Sequence, residues 1–563
     1  MGFGVLEDKH LEHVPGTSFI NDTKPLHIHG AEAGAPQDII VDTGRLKHAT
    51  GRNSHIILVP QPSDDPNDPL NWPRWKKELL FWPMIFAAGL VGAIGPLLTP
   101  GFVQLSVEFG VSVDKVASSL NGALVAAIGC GMLPMASLAQ KYGRRPMFML
   151  AALLLFVTCI WAGATPTSNF ASITAARVIQ GIAMTPLEAL VTATIGDIFF
   201  VHERGFRVAV WGFAILGGIN LAPIVNGPII QDKGWQWCFW VIGILFGISL
   251  IITFFTFPET AYKREEKFDI DGGSHDNLAA LAIEENAEAE AEKAEIQHDE
   301  SVKIPSRTFP PRRTVWQDLR IFSGTHDPTP LWKLVARPIP CFCSPVVLWA
   351  TLAYGLLTVW LVVLSVTVSV IFGMPPYNFN STQVGLVSIG PLIGSLLAAI
   401  IAGPIVDWCA TGLAKRNNGV YEPEFRLFLC LPMLILEVLG YAVWGGVQAK
   451  GGPWIGPVLL YSIIDFGQGL GSTAVIAYVI DAHRGTVPEA FAVLSLIKNL
   501  VAFGFTYFVN SWIEEAGMLN TFGTLAGLTA VCVLPTIPMY IYGKRVRSWL
   551  HRHQHFFLSE QLR

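Results

Sequence analysis

Charge is what this sequence has least of. Asp, Glu, Lys and Arg make up 14% of its 563 residues, against about 25% in a soluble protein. So few charges cannot cover a water-facing surface, which argues against a soluble enzyme. The net charge of −5 supplies no basic face for nucleic acid. The eight cysteines sit mostly inside apolar runs and show no zinc spacing. A Gly-x-x-x-x-Gly-Lys-Ser/Thr loop is missing, which argues against an ATP-driven pump. No histidine cluster falls inside an apolar run, so a membrane enzyme has nothing to carry its chemistry. Neither a cofactor nor a metal is expected. The start of the chain lacks the apolar core of a secretory signal, and the amino-terminal tail is expected to stay in the cytosol.

What the chain has in abundance is apolar surface. Hydrophobic residues make up 51% of it, and the mean hydropathy is +0.45. The apolar runs are each about 20 residues long, the length that crosses a bilayer as a helix. Six fall within 79–257 and six within 346–543. An all-α integral membrane protein of two six-helix bundles and twelve transmembrane helices is predicted. The remaining segments read as a disordered cytosolic tail over 1–78, an acidic cytosolic linker over 258–345 and a basic cytosolic tail over 544–563. Lys and Arg test the topology. Loops expected inside carry Lys141, Arg144 and Arg145, then Arg204 and Arg207, Lys263 and Arg264, Lys415 and Arg416, Arg484, and Lys544, Arg545 and Arg547. Loops expected outside carry Lys115, Lys233 and Lys450. This asymmetry puts both termini in the cytosol.

The two halves echo each other. The second-to-third loop reads Ala136 to Arg145 with Gly143-Arg144-Arg145 at its end, and the eighth-to-ninth loop is read as beginning at Gly403-Pro404-Ile405-Val406-Asp407. The fourth span ends with Asp197 before Glu203-Arg204-Gly205, and the tenth with Asp481 before Arg484-Gly485. Parallel six-helix repeats are the plan of one large class of secondary transporters. With these motifs the chain resembles a fungal member of the major facilitator superfamily, in the twelve-span drug:proton antiporter branch. Segment 136–145 resembles its signature loop, with Gln140 where Asp is usual. Arg177-Val178-Ile179-Gln180-Gly181 resembles the fourth-span motif. Gly218-x-x-x-Ala222-Pro223-x-x-Asn226-Gly227 resembles the antiporter motif, with Ala222 and Asn226 where Gly is usual. Asp68-Pro69-x-Asn71-Trp72-Pro73, Pro258-Glu259-Thr260 and the stretch from Asn417 to Leu427 resemble fungal flanking signatures.

Ionisable groups inside spans are functional candidates, because a buried charge costs about 2.5–3.5 kcal/mol even on mild insertion scales. They are Arg177 and Glu188 in the fourth span, Asp465 in the tenth and Lys498 in the eleventh, with Asn220 in the fifth as a candidate bonding partner. Glu437 in the ninth is read as packing or snorkelling. The resemblance implies that the first, fourth, seventh and tenth spans line the cavity, so Glu188 and Asp465 become candidates to hold a proton or substrate. Gly143, Arg144, Arg145, Asp197, Asp407 and Asp481 are gating candidates. An Arg144–Asp197 pair would latch the halves in one state and release them in the other. Lys498 is expected to neutralise a carboxylate on a neighbouring span. Asn380-Ser381-Thr382 and Asn21-Asp22-Thr23 are glycosylation sequons, of which only Asn380 faces outward. The expected function is proton-coupled efflux of a small organic compound, a metabolite or drug, by a plasma-membrane monomer whose partners are the substrate, protons and the bilayer. The alternative is proton-coupled uptake of a polyamine or other organic cation, which acidic cavity residues would suit.

Overall fold

The structure, a computed structural model, describes residues 65–262, 311–417, 420–483 and 486–553, with residues 4–10, 14, 17–19, 27, 28, 39, 40, 47, 58, 62 and 63 before them. Among the described residues, twelve helices are long and apolar enough to cross a membrane. They run Arg74–Phe109, Val113–Tyr142, Arg144–Gly163, Phe170–Ile198, Phe206–Lys233, Gln236–Thr256, Pro345–Gly373, Ser381–Arg416, Pro423–Ala449, Ile455–Ala482, Val487–Ala516 and Met518–Arg552, and are called the first to twelfth spans. A bilayer offers no water to bond the backbone, so helices close all their bonds within themselves. The same constraint explains how Pro83, Pro134, Pro186, Pro223, Pro228 and Pro404 sit inside helices here: neighbouring spans supply partners for the bonds that proline breaks.

The packing repeats between the halves. The second span packs on the fourth and the third on the sixth; the eighth packs on the tenth and the ninth on the twelfth. The second span meets the eleventh, and the fifth meets the eighth, across the boundary between halves. An even number of spans puts both chain ends on one side, here called the terminal face. At the opposite, far face the halves are bonded together. The Thr382 hydroxyl donates to Gln231 Oε1 at 2.7 Å, the Ser381 hydroxyl to Gln104 at 3.5 Å, and Ser511 bonds Asp114. Two glycines permit this closure: a Cβ at Gly385 would lie 2.2 Å from the Pro223 carbonyl oxygen, and one at Gly227 2.6 Å from that of Ser381.

Three expectations about the segments outside the spans are corrected. The eighth span continues as helix to Arg416, so Gly403 to Asp407 lies within it and not in a loop; a proline that reads as a turn in a soluble protein is tolerated here. The twelfth span continues to Arg552, and Lys544 and Arg547 are buried. Arg547 bonds both Glu422 and Glu424 at 2.8 Å, and Lys544 bonds Glu422 at 2.8 Å, so these bases belong to the bundle and not to a tail. The first residues of the chain are placed too. Val5 is buried against Ala414 and Phe425, the Leu6 N–H donates to the Ile541 carbonyl at 2.9 Å, and Glu7 pairs with Lys544 at 2.6 Å. Ser18–Phe19 pairs antiparallel with Val420–Tyr421. The described part of the linker also packs: Asp318 pairs with Lys76 at 2.7 Å and Lys141 donates to the Thr329 carbonyl at 3.0 Å. The Glu-rich stretch at 284–300 and Asn21 lie outside the described residues.

Closure of the far face depends on glycine at 385. Gly385→Val is expected to hold the far ends of the fifth and eighth spans apart, since the added carbons meet rigid backbone. Ser369 is buried on the seventh span beside Pro223 and Val384, and maleimide labelling of a cysteine placed there should rise several-fold in that variant. Unchanged labelling in a protein that still reaches the membrane would contradict the closure.

Candidate functional site

The middle of the protein carries two polar ties between the halves. Lys498 Nζ lies 3.2 Å from Glu188 Oε1, joining the eleventh span to the fourth. Their side chains remain 12% and 22% exposed, so the pair is not sealed off. Glu188 is nine residues before Asp197, about 14 Å from the terminal end of a regular helix at ~1.5 Å per residue. The second tie is more enclosed. The Asn220 side-chain amide donates to Asp465 Oδ2 at 3.4 Å and to the Ser395 hydroxyl at 3.3 Å, and all three residues are buried. Glu188, Lys498, Asn220 and Asp465 are thus brought to the boundary between halves.

Arg177 is placed otherwise. It is 1% exposed and wrapped by carbonyls: Leu120 at 2.6 Å, Ile94 at 2.9 Å and Gly95 at 2.8 Å, with Gln180 at 3.1 Å. Those acceptors lie where the helices are irregular. The first helix breaks after Ile94, where carbonyls lack the usual partner four residues on, and Leu120 lies in a wider turn of helix over Ala117–Gly122. Arg177 therefore bonds the first and second spans to the fourth. A repeat missed in the sequence explains where Asp465 sits. Asp465-Phe-Gly-Gln468-Gly469 matches Arg177-Val-Ile-Gln180-Gly181. Gly181 lets the fourth span reach the Leu124 carbonyl of the second, and Gly469 lets the tenth reach Ala398 of the eighth, each within 2.4 Å of where a Cβ would stand. Arg177 and Asp465 are thus equivalent positions with opposite charge.

Five of the six gating candidates gather around one ion pair in each half at the terminal face. Gly143, at φ +95°, turns the chain so that the third span starts at Arg144. Arg144 pairs with Asp197. Glu259 accepts from the Arg144 and Arg145 N–H groups at 2.9 and 3.2 Å, a carboxylate at a helix amino terminus. The Arg145 guanidinium is buried and bonds the Phe257, Phe254 and Leu319 carbonyls. In the other half Asp481 pairs with Arg426 at 2.9 Å, and the Tyr421 hydroxyl lies 3.5 Å from Asp481. Burial, with Asp481 beside it, holds that phenol well above its usual range, so it stays a donor. The Arg144–Asp197 pair joins two spans of the same half, so it does not latch one half to the other as expected. Asp407 lies within the eighth helix and not in a loop. Glu437 is buried and does not snorkel. Asn380 is exposed and caps the first turn of the eighth span, accepting from the Gln383 N–H at 2.9 Å. Arg426, Glu259, Glu422 and Glu424 stand in the flanking signatures, which were the available signal for them.

The sequence profile of the Major Facilitator Superfamily matches residues 81–506, and the chain belongs to that family. It is 26% identical over 584 residues to protein HOL1 of Saccharomyces cerevisiae, covering 96% of this chain and 97% of that one. To efflux pump radE of Floropilus chiversii it is 23% identical over 507 residues, covering 88% and 86%. Among solved structures, the xylose transporter XylE from E. coli superposes with a TM-score of 0.53 at 15% identity, covering 81% of this chain and 97% of that one. The protein is a multi-pass membrane transporter of the secondary type.

The two ion pairs are equivalent, so Arg144→Ala and Arg426→Ala are each expected to reduce transport by about tenfold, within the range of one to three kcal/mol typical of coupling between states. The comparison is made at equal membrane abundance and unchanged detergent-solubilised size profile. Transport at the unsubstituted level would reduce these arginines to topology anchors.

Proposed function

We propose that this protein is a proton-coupled exporter of small organic compounds at the plasma membrane, in the twelve-span drug:proton antiporter branch of its family. The observation that carries the reading is the Glu188–Lys498 pair, a titratable bridge between the two halves at mid-membrane. Among the described residues, Glu188 is the carboxylate paired with Lys498. A proton arriving on Glu188 removes the attraction and frees the halves to rock, as alternating access requires. Loss of the proton restores the bridge. Substrate binding between the halves then alternates with proton binding. The relative named an efflux pump supports the outward direction. A second reading, proton-coupled uptake of an organic cation such as a polyamine, draws on Asp465. Its hydrogen bond is to a neutral amide, an arrangement that would favour a cationic ligand.

The test uses purified protein in liposomes with rhodamine 6G, an aromatic organic cation, as the probe. An imposed pH gradient should drive its accumulation, and an ionophore that collapses the gradient should abolish it. Glu188→Gln keeps shape and hydrogen bonding but cannot titrate. It is expected to lose gradient-driven accumulation while keeping exchange of rhodamine 6G without a gradient. A variant that still concentrates the dye with unaltered pH dependence would remove Glu188 from the coupling.

A further inference from the structure

Glu437, on the ninth span, is 1% exposed, and neither of its carboxyl oxygens has a hydrogen-bond partner. Tyr441, one turn along the same face, is fully buried, and its hydroxyl is also without a partner. The ninth span packs against the tenth and the twelfth. The titratable groups that those elements turn toward this place are Asp465 and Tyr461 on the tenth span and Cys532 on the twelfth. None of them is basic. Asp465 stands two residues before Gly467, the point of the tenth span where a Cβ would meet Glu437 Cγ at 3.5 Å.

The space beside Glu437 is closed. A Cβ at Gly467 would stand 3.1 Å from Leu436 Cβ and 3.5 Å from Glu437 Cγ, and one at Gly440 would stand 2.5 Å from Ile464. The ninth and tenth helices are in close contact here, and among the described residues no cluster of three or more His, Cys, Asp or Glu could hold a metal. A proton asks for no ligand set.

Charge balance points the same way. Among the side chains described near the middle of the spans, three are carboxyl groups: Glu188, Asp465 and Glu437. Lys498 is bonded to the first, and Arg177 is enclosed by carbonyls of the other half. An ionised carboxylate buried with neither a cation nor a hydrogen bond costs several kcal/mol. Two neighbouring carboxylates add mutual repulsion.

We propose that Glu437 is a proton-holding site that backs Asp465, so that the carboxyl-terminal half carries a proton store of its own, distinct from the Glu188–Lys498 bridge. Glu437 keeps its proton while Asp465 is ionised and bonded to Asn220. When the halves separate and Asp465 loses Asn220, the proton redistributes over the two carboxyl groups, with one O–H bond broken as the other forms. This inference rests on the proton-coupled reading above and adds a second group to it.

Dicyclohexylcarbodiimide reacts with undissociated carboxyl groups in apolar surroundings, and the adduct can be located by mass spectrometry on the purified full-length protein. Labelling of Glu437 is expected, falling as pH rises. In Asp465→Asn the midpoint should move by about one unit to lower pH, a tenfold change in proton affinity, because the neighbouring negative charge is gone. Neither measurement requires a substitution at Glu437, so a poorly folding Glu437→Gln leaves the test intact. Where Glu437→Gln folds, the adduct should disappear and the number of protons moved per rhodamine 6G should fall. An unlabelled Glu437, or a midpoint unmoved by Asp465→Asn, would overturn the proposal. Failure of the unsubstituted protein to respond to a pH gradient would instead sink the proton-coupled reading, whatever the labelling shows.

Discussion

A lysine in the middle of a bilayer must find a counter-charge, and Lys498 finds it on the other half of the molecule. In apolar surroundings the cost of an unpaired ammonium exceeds what one helix contact returns. The Glu188–Lys498 bridge therefore helps to set how the fourth and eleventh spans face each other. It also makes the arrangement of the halves depend on charge. Neutralising either partner removes the attraction while leaving the packing of each bundle intact.

The rest of the molecule divides its ion pairs within the halves from its contacts between them. At the terminal face the ion pairs Arg144–Asp197 and Arg426–Asp481 each lie inside one half. Glu422 and Glu424 bind Lys544 and Arg547 within the carboxyl-terminal bundle. At the far face the contacts cross between halves, through Gln231, Thr382 and the close approach at Gly385. Rigid bundles with changeable contacts between them are what alternating access by rocking needs. The two halves have divided the work at their equivalent positions. Arg177 is enclosed by carbonyls at a helix break and a widened turn. Asp465 reaches across the boundary to an amide at 3.4 Å, a long bond that is easily exchanged.

The span count was legible because twelve apolar runs of the right length stand between loops marked by Lys and Arg. The Arg144–Asp197 pair was legible because both residues end spans at the same face. The partner of Lys498 was not. Glu188 is 310 residues away, and the vertical register between spans of different halves is not written in either run. Asp407 was misread because Gly403-Pro404 signals a turn in water, where a freed backbone group is bonded by solvent. Lys544 and Arg547 were read as tail because charge marks a span's end, yet the acids that bury them, Glu422 and Glu424, come from a segment about 120 residues earlier. The equivalence of Arg177 and Asp465 was present in the letters, as two Gln-Gly pairs, but their opposite charges concealed it.

The bridge between the halves is tested most directly by exchanging its two charges. Glu188→Lys and Lys498→Glu should each lower the melting temperature of the purified protein, because each leaves like charges facing one another in the middle of the membrane. The double variant restores opposite charges and is expected to recover most of that loss, a coupling on the order of 1 kcal/mol or more between residues in contact. If the losses of the two single variants simply add in the double variant, Glu188 and Lys498 do not hold the halves together.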